Sequence, residues 1–418
     1  MSMRICLLST SYPPANTEGI ARQRQVLATE LARRGHDVHV VTCGALTRTR
    51  RDGAVQVHEV EVAGISHYSA AYPELDSPLT FSQALYEGLT MAGGARGWDV
   101  VDLPLWQAQG FVTLQRHQGP TVLWLQTSSA QLRAINRVHD SAGGHALLDI
   151  ERMCLDRADG LLADSRSALK SVLSDYRIHP SASSAIVYLG LPPLDTPPPA
   201  PERPTVEALV VGRLERRKGT HLLFELLPPL LRRNPQLVVR FVGRDNSTQD
   251  GWNARHGVTY PEYFQSRYPD LTDRVRFEGY VDEPRLLECY RQADFLLAPS
   301  LYESFGLIYL EAMRAARPVV AFAAGGALEV FANGKADGAL LAPAGDKRQL
   351  AAAIERMAGQ PELRRQLGQH GLARFQQTFS AEAMADATLH YYEQVIAEHA
   401  ARRDSGGPIF QVMEALDV

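Results

Sequence analysis

Residues 295–313 read FLLAPSLYESFGLIYLEAM, and this stretch decides the fold. Its first four residues, Phe295–Ala298, are apolar and predict a short buried strand. The loop that follows carries the acidic residue Glu303 and then Ser304, a residue type that can cap a helix. A second acid, Glu311, follows two helical turns later. A short apolar strand, a loop and a helix form the repeating unit of parallel α/β sheets.

The two acids of this stretch allow two interpretations. An open helix N-terminus presents unpaired N–H groups and the positive end of the helix dipole, which suits a phosphate or another anion. Glu303 and Glu311 would then hold the hydroxyls of a sugar and a ribose on either side of the phosphates. Alternatively, Glu303 only favours the helix start and Glu311 is a solvated helix residue. The stretch taken alone leaves both interpretations open.

The composition of the whole chain is that of an ordinary globular protein with two domains. It has 418 residues, of which 45% are hydrophobic and 22% charged, so two domains of about 200 residues each are expected. The net charge of -4 argues against a general nucleic-acid binder. No apolar run approaches the roughly 20 residues of a membrane span, and we expect a cytoplasmic protein with reduced cysteines.

The strand–loop–helix pattern of residues 295–313 recurs along both halves of the chain. It predicts an α/β fold with two Rossmann-like, doubly wound parallel sheets. The region 47–76 is less regular and is predicted to hold extra strands or loops. A proline-rich segment, residues 191–201, cannot form a helix or a central strand and is interpreted as the interdomain linker. The predicted divisions are a first domain over 1–195, a second over 203–380, a helix over 381–400 and a tail over 401–418.

Three blocks of the second half carry a resemblance to a known family. They are VGRLERRKG at 211–219, the segment 303–311, and RPVVA leading to GGALE within 317–329, with a weaker match in RFEGYV at 276–281. In this order they resemble the retaining glycosyltransferases of family 4, which have the GT-B fold. The resemblance implies two domains that face a central cleft, with the C-terminal helix packing back on the N-terminal domain. It also implies that the N-terminal domain binds the acceptor and the C-terminal domain the nucleotide-sugar.

The resemblance implies a role for each matching residue. Glu303, Arg213 and Lys218 would be catalytic, with the two cations binding the diphosphate in place of a metal, since the chain has no Asp-x-Asp motif or His cluster. The alternative for the two cations is a solvated basic helix start, because Arg216 and Arg217 lie beside them. The donor-binding set implied in this way is Gly19, Arg213, Lys218, Gly279, Tyr280, Val281, Glu303, Ser304, Phe305, Gly306, Leu307 and Glu311.

The chain departs from the family pattern at three positions. Glu18 stands where many relatives have a second glycine before Gly19, and Gln126 follows the fourth strand of the first domain, where a histidine is common. Gln126 can hydrogen-bond a sugar hydroxyl but does not titrate near neutral pH. Ala316 replaces a glycine after the Glu311 helix, so a different turn is expected there, since a positive φ costs alanine about 1 kcal/mol.

The acceptor side is the less informative half of the sequence. Its candidate acceptor-binding residues are Glu18, Asp102, Trp106 and Gln126. Several arginines of the first domain allow two interpretations: they are Arg22, Arg24, Arg48, Arg50 and Arg51. They could contact an anionic lipid or a phosphorylated acceptor. The favoured interpretation is that they form a solvated face.

The leading hypothesis is a metal-independent enzyme that needs no cofactor and transfers a hexosyl-type sugar with retention. The donor would be a UDP- or GDP-sugar, and the acceptor a saccharide such as a polysaccharide precursor, a glycolipid or a small molecule. Peripheral association with the inner face of the membrane is left open, and no nucleic-acid partner is expected. Two alternatives are a catalytically weak sugar-nucleotide-binding subunit and a nucleotide-sugar epimerase or hydrolase of the same fold.

Overall fold

The computed structural model describes residues 2–16, 19–68, 70–93, 97–138, 140–180, 182–195 and 203–404. These residues divide into two compact units. The first unit contains the described residues up to 131, those of 140–190 and those from 381 onward, and the second contains residues 132–138 and those from 191 to 380. The division between the units therefore falls between Gly190 and Leu191, whereas the first domain was predicted to extend to residue 195.

The strands and helices are numbered here in chain order. The strands are β1 Arg4–Ser9, β2 Asp37–Gly44, β3 Arg48–Asp52, β4 Val55–Glu61, β5 Val100–Pro104, β6 Thr121–Leu125, β7 Gly160–Ala163, β8 Ser183–Ile186, β9 Val206–Val211, β10 Leu237–Val242, β11 Val275–Phe277, β12 Phe295–Ala298, β13 Val319–Ala323 and β14 Ala339–Pro343. The helices are α1 Gly19–Arg33, α2 Asp76–Gly93, α3 Phe111–Arg116, α4 Ser129–Asn136, α5 Ala142–Arg157, α6 Arg166–Tyr176, α7 Thr220–Arg233, α8 Trp252–His256, α9 Tyr260–Arg267, α10 Glu283–Gln292, α11 Leu307–Arg314, α12 Ala327–Val330, α13 Lys347–Gly359, α14 Pro361–Thr378 and α15 Ala381–Asp404.

The first unit is built on one sheet with the order β3-β4-β2-β1-β5-β6-β7-β8. All its strand pairs are parallel except β3 with β4, which pair antiparallel at the edge. This hairpin accounts for the irregular region 47–76, where extra strands were predicted. Strands β1, β5 and β6 are almost entirely buried, because helices cover both faces of a parallel sheet.

The second unit is built on a six-stranded parallel sheet with the order β11-β10-β9-β12-β13-β14. Written as positions along this half of the chain, the order is 3-2-1-4-5-6, the doubly wound arrangement. Direction along the sheet reverses between β9 and β12, where Leu296 pairs with Leu209. The loops that leave the carboxyl ends of these two strands diverge, and ligands bind at such a point in open α/β sheets. The predicted fold class, two parallel-sheet α/β domains, is confirmed.

The C-terminal helix α15 packs within the first unit, against α1. Tyr392 of α15 donates a hydrogen bond from its hydroxyl to Asp102, with 2.6 Å between the oxygens. At the surface, Arg34 of α1 forms an ion pair with Asp386, with 2.8 Å between Nε and Oδ1. The helix is therefore an integral part of this unit rather than an appendage.

One turn near the candidate site differs from its prediction. Ala316 follows α11 and adopts a φ of +54°, so the left-handed turn is kept although no glycine is present. The expectation that the turn would differ was wrong. The chain tolerates the conformation because the N–H of Ala316 bonds to Met313 and the N–H of Arg317 bonds to Ala312, which closes the end of the helix.

The four cysteines are free thiols, as predicted, and Cys6, Cys154 and Cys289 are buried. Burial raises the pKa of the Cys6 thiol above its usual range, which keeps it protonated and unreactive. Among the described residues, no helix is long and apolar enough to cross a membrane.

Candidate active site

Glu303 is the centre of a buried ion-pair cluster in the second unit. Its side chain is 8% exposed and lies in the loop that follows β12. Lys218 Nζ lies 2.5 Å from its Oε1, and the Ser300 hydroxyl donates to the same oxygen over 2.7 Å. Arg217 Nη1 lies 3.2 Å from its Oε2. The interpretation of Glu303 as a residue that only favours the helix start was therefore wrong.

Arg217 connects this carboxylate to a second one. Its Nη2 lies 2.8 Å from Oε1 of Glu215, which is 1% exposed, while its Nη1 also donates to the backbone oxygen of Tyr302. Arg213 approaches the same Oε1 of Glu215 at 3.6 Å and keeps about a third of its side chain exposed. Three cations thus face two carboxylates at the carboxyl ends of β9 and β12. The cluster carries a net positive charge, which favours an anionic ligand.

The charges of the cluster shift the pKa values of its members. Burial raises the pKa of the Glu303 carboxyl, but the charges of Lys218 and Arg217 outweigh burial and bring it to about 2. Burial lowers the pKa of the Lys218 ammonium, and the neighbouring Arg217 charge adds to that effect against the opposing pull of Glu303. Glu303 is therefore ionised at neutral pH, and Lys218 is the cation whose charge the cluster compensates least well.

Two glycines shape the loop that holds Glu303. Gly325 has a φ of +54°, and a Cβ there would lie 2.2 Å from the backbone oxygen of Glu303. That same oxygen accepts a hydrogen bond from the N–H of Gly326 over 2.8 Å. The third block of the family resemblance thus acts as a backbone support for the loop, and any side chain at Gly325 would displace it.

The helix that follows the loop starts without a side-chain cap. Its N-cap is Gly306, with a φ of +98° and no side chain to accept a hydrogen bond, so the expected capping role of Ser304 was wrong. The N-terminus of α11 is therefore open to an acceptor from outside the helix. Phe305 is fully buried and packs edge-on against Phe379, whereas Ser304, Gly306 and Leu307 are partly exposed.

Glu311 is buried on α11, with 5% of its surface exposed. The Tyr290 hydroxyl donates to its Oε2 over 2.8 Å. The interpretation of Glu311 as a solvated helix residue was therefore wrong. Its predicted contact with ribose hydroxyls stays a prediction.

The predicted base site lies after β11, beside the carboxyl end of β10. Gly279 has a φ of +69°, and its backbone oxygen accepts from the N–H of Gly243 over 2.8 Å. Tyr280 is 43% exposed, and the Arg244 guanidinium lies 4.3 Å from the centre of its ring. Val281 is partly exposed beside it. An exposed ring next to a cation can stack on a planar base. The contact between Tyr280 and Arg244 could not be predicted from the sequence.

The candidate acceptor residues of the first unit have different environments. Asp102 is 1% exposed, and its Oδ1 lies 2.7 Å from Nη2 of the buried Arg24. With Tyr392 on its other oxygen, Asp102 is held inside the unit, which favours a structural role. Trp106 is partly exposed beside Gln107 and Ala108, which both have positive φ.

Gln126 is the candidate acceptor residue whose environment most favours binding. It is 5% exposed and follows β6 directly. Neither its Oε1 nor its Nε2 has a hydrogen-bond partner among the described residues. A buried amide without partners is costly and is seen mainly where a ligand or water completes it.

The remaining first-unit predictions have mixed outcomes. Gly19 is the exposed first residue of α1, and its contact with donor phosphates stays a prediction, while Glu18 lies outside the described residues. Arg22 and Arg24 are buried. The predictions that they contact a lipid surface or form a solvated face were therefore both wrong. Arg48 and Arg50 both pair with Glu59, at 2.6 and 2.7 Å.

The structure brings Lys218 and Glu303 into direct contact and places Arg213 at the edge of the same cluster. It also adds Arg217, Glu215 and Ser300, which the sequence analysis did not select. Arg217 was considered only as part of a solvated basic helix start. Its burial depends on Glu303, 86 positions away in the chain, so no local signal identifies it.

The chain has two units built on parallel α/β sheets, and the second has a cationic cluster at its strand reversal. Such an arrangement suits an enzyme that binds an anionic substrate. Comparisons with known proteins show that this class is the sugar transferases with two α/β domains. The model of "Glycosyl transferases group 1" matches residues 199–374, and that of "Glycosyl transferase 4-like domain" matches residues 18–181. The chain belongs to the GT-B glycosyltransferases of family 4. It is a glycosyltransferase.

Several relatives and solved structures are similar over most of their length. The D-inositol 3-phosphate glycosyltransferase of Kineococcus radiotolerans is 30% identical over 96% of this chain and 97% of its own. A glycogen synthase of Mycobacterium tuberculosis is 27% identical over 93% and 94% of the two chains. The structure of sucrose-phosphate synthase from Thermosynechococcus elongatus superposes with a TM-score of 0.73 at 24% identity, covering 94% of this chain and 99% of that one, which shows the shared fold.

Proposed function

We propose that this glycosyltransferase transfers a hexosyl-type sugar from a UDP- or GDP-sugar to an acceptor with retention and without a metal ion. The single observation that carries the proposal is the net positive cluster around Glu303 at the strand reversal of the second unit. A nucleoside diphosphate leaves with developing negative charge, and fixed cations lower the barrier by stabilising that charge. Arg213 and Lys218 are the two cations placed to bind it.

The roles of the two acids follow from their environments. Glu303, ionised beside Lys218, accepts hydrogen bonds from hydroxyls of the transferred sugar. Glu311, two turns along α11 and buried beside Tyr290, accepts from the ribose hydroxyls. The open N-terminus of α11, with the N–H groups of 305–307, binds phosphate oxygens between the two. The base lies against Gly279, Tyr280 and Val281.

Retention follows in this proposal from attack on the same face from which the nucleoside diphosphate departs. Glu303 is a poor nucleophile, because the Arg217 guanidinium binds its Oε2 and the Ser300 hydroxyl donates to its Oε1. The acceptor hydroxyl therefore attacks the anomeric carbon as the bond to the diphosphate breaks, and its proton passes to a departing phosphate oxygen. No covalent sugar–enzyme bond is needed.

The acceptor is proposed to be a saccharide, a lipid-linked saccharide or a small molecule that uses its hydroxyls to satisfy Gln126. The names of the relatives favour a small phosphorylated polyol or a growing glucan, since they include an inositol phosphate glycosyltransferase and a glycogen synthase. Gln126 also supports a second candidate function, a sugar-nucleotide-binding subunit with weak catalysis, because glutamine cannot carry the charge of the histidine common at this position.

The test is calorimetric titration of the purified protein with UDP, GDP and ADP, first without metal and then with Mg²⁺. Metal-free binding of one nucleotide, weakened in Arg213→Ala, is the expected result and identifies the donor class. Binding only with Mg²⁺ would contradict the metal-independent cradle. Incubation with the matching nucleotide-sugar then separates the candidates: NMR of the product shows a retained anomer for a transferase, free sugar for a hydrolase and an isomerised donor for an epimerase.

A further inference from the structure

Lys218 and Arg217 share the carboxylate of Glu303 but differ in their other contacts. Arg217 is 8% exposed, and its guanidinium also binds Glu215 and the backbone oxygen of Tyr302. Its own backbone oxygen accepts from the N–H of Leu301 over 2.7 Å, so both ends of the residue are fixed. Lys218 pairs with one acid among the described residues, Glu303, and its side chain is twice as exposed, at 16%. Arg217 is therefore held by more contacts than Lys218.

Binding of a diphosphate would remove a counter-charge from Glu303. Lys218 is the cation placed to bind the phosphates, and a primary ammonium on a flexible stem can turn from one anion to another. When it turns, Glu303 loses its closest counter-charge while staying buried. A buried carboxylate without a cation takes up a proton rather than remain charged, and a protonated Glu303 could no longer accept two hydrogen bonds from sugar hydroxyls.

The chain contains an internal example of that outcome. Glu151, in the first unit, is fully buried, and its hydrogen-bond donors among the described residues are neutral groups of Ser129, Tyr176 and the Gln107 backbone. Burial raises its carboxyl pKa to about 6 despite these hydrogen bonds. Neutral hydrogen bonds alone thus leave a buried carboxyl half protonated near pH 6, whereas the cations beside Glu303 hold the pKa of its carboxyl at about 2.

We propose that Arg217 is a positioning residue that keeps Glu303 ionised and oriented while Lys218 leaves Glu303 and binds the donor diphosphate. In the free protein Glu303 has two cations. In the donor complex it keeps Arg217 on Oε2 and Ser300 on Oε1, and a sugar hydroxyl takes the place of Lys218 on Oε1. The inference rests on the proposed function, because it requires a diphosphate to take Lys218.

The other groups that face Glu303 do not supply the missing charge. Ser300, from the loop after β12, is neutral and stays on Oε1. Tyr309, from α11, is buried, and burial together with the Glu303 charge raises the pKa of its phenol far above the ordinary value, so it stays neutral. Glu215 is itself an anion and serves to hold Arg217. Arg217 is the cation that remains beside Glu303 after Lys218 has moved.

The decisive measurement is the number of protons taken up when UDP or GDP binds at pH 6. It is obtained by calorimetry in two buffers of different ionisation enthalpy. Arg217→Gln is expected to take up about half a proton more than wild type, because Glu303 then titrates near the pKa of Glu151. Arg217→Lys keeps a cation and is expected to behave more like wild type. Equal uptake in wild type and Arg217→Gln would overturn the proposal.

Arg216→Gln is the matched control. It removes an arginine one position away that makes no hydrogen bond or ion pair with Glu303 among the described residues, and it should reproduce the wild-type proton count. If Arg217→Gln does not fold, the carboxyl ¹³C shift of Glu303 in wild type bound to nucleotide replaces it. That shift should stay at the ionised value down to pH 4, and protonation at higher pH would overturn the proposal.

Failure of the proposed function gives a different result. If wild-type protein binds none of UDP, GDP and ADP, the proposed donor site is wrong. The proposed movement of Lys218 from Glu303 to the diphosphate is then wrong as well. Binding with no difference in proton uptake contradicts Arg217 alone. A fall in kcat for Arg217→Gln larger than its loss of nucleotide affinity, partly restored by Arg217→Lys, would further support a role in the reacting state rather than in folding.

Discussion

Two glutamates, Glu303 in the second unit and Glu151 in the first, are buried to a similar degree, and yet the pKa values of their carboxyls lie on opposite sides of the ordinary value. Glu303 lies between Lys218 and Arg217, and the pKa of its carboxyl is about 2. Glu151 accepts from the backbone and hydroxyl of Ser129 and from Tyr176, and the pKa of its carboxyl is about 6. Both follow the same rule, because burial raises a carboxyl pKa and only nearby positive charge outweighs it.

The comparison distinguishes a carboxylate placed to do chemistry from one placed to hold a fold. Glu151 links the starts and ends of three helices, α4, α5 and α6, through hydrogen bonds that a neutral acid can also make. Glu303 belongs to a cluster in which three cations face two carboxylates, so one positive charge is left for an additional anion to balance. This surplus of cations, and not burial, is the basis of our proposal that the second unit binds the donor.

The largest effect is expected from removing the charge of Glu303. Glu303→Gln should lower the rate of sugar transfer by about 100- to 1000-fold, because a neutral amide no longer balances the Arg217 charge in the reacting state. Stability should fall by about 3 kcal/mol, since two buried cations lose a partner. Turnover is measured with the donor identified by calorimetry, and stability by urea unfolding. Normal turnover by this variant would refute the site assignment.

Arg213 tests the exposed edge of the same cluster. Arg213→Ala should weaken nucleoside diphosphate binding by about 10- to 100-fold, because a charge-assisted contact to phosphate is lost. Its stability should hardly change, since its side chain is over one-third exposed and its distance to Glu215 is 3.6 Å. Calorimetric titration checks the affinity. Arg232→Ala, at an exposed ion pair with Asp270, is the control that should leave affinity unchanged.

The pH dependence of stability should have opposite slopes for the two glutamates. Glu303 has a folded pKa below its unfolded value, so its contribution is present above about pH 4.5 and is lost as pH falls toward 2. Glu151 has a raised folded pKa of about 6, so its contribution is complete below about pH 4.5 and is lost as pH rises through 6.

The variant Glu151→Gln isolates the second slope. Above pH 6.5 it avoids a disfavoured buried charge worth about 2 kcal/mol, so its stability relative to wild type should rise between pH 4.5 and 6.5. Urea midpoints across this range measure the effect. A difference that stays constant with pH would show that Glu151 titrates normally and would remove the contrast with Glu303.

The smallest effect concerns the turn behind the site. Ala316→Gly should stabilise the protein by up to about 1 kcal/mol, because glycine adopts a φ of +54° without steric cost. Ala315→Gly, at a φ of -89°, should instead destabilise it by about 1 kcal/mol. Thermal unfolding of the two variants checks the sign. Neither change should alter the carboxyl pKa of Glu303, which depends on charges and not on this turn.

Much of the architecture could be predicted from the sequence because parallel strands carry their own signal. The continuous apolar run Phe295–Ala298, for example, is a strand with the predicted limits. The antiparallel edge of β3 and β4 could not be specified, since its exposed, arginine-rich first strand lacks such a run. At the site, Glu303, Glu311, Arg213 and Lys218 were selected through resemblance, whereas Arg217 and Glu215 were not, because their importance depends on which side chains face inward.

The sequence alone was sufficient to predict two parallel α/β units, the family, and the segments at the ends of β9 and β12 to which we assign the donor site. These properties are encoded locally, in apolar runs, in loop residues and in their spacing. The tertiary structure was needed to show which of the three consecutive cations contact Glu303. Arg217 and Lys218 do, whereas Arg216 makes no hydrogen bond or ion pair with it among the described residues. The tertiary structure also decided that Asp102 is held by Arg24 and Tyr392 while Gln126 is buried without a partner. Charge and hydrogen bonding act over a few ångströms in space, between residues such as Asp102 and Tyr392 that lie 290 positions apart in the chain.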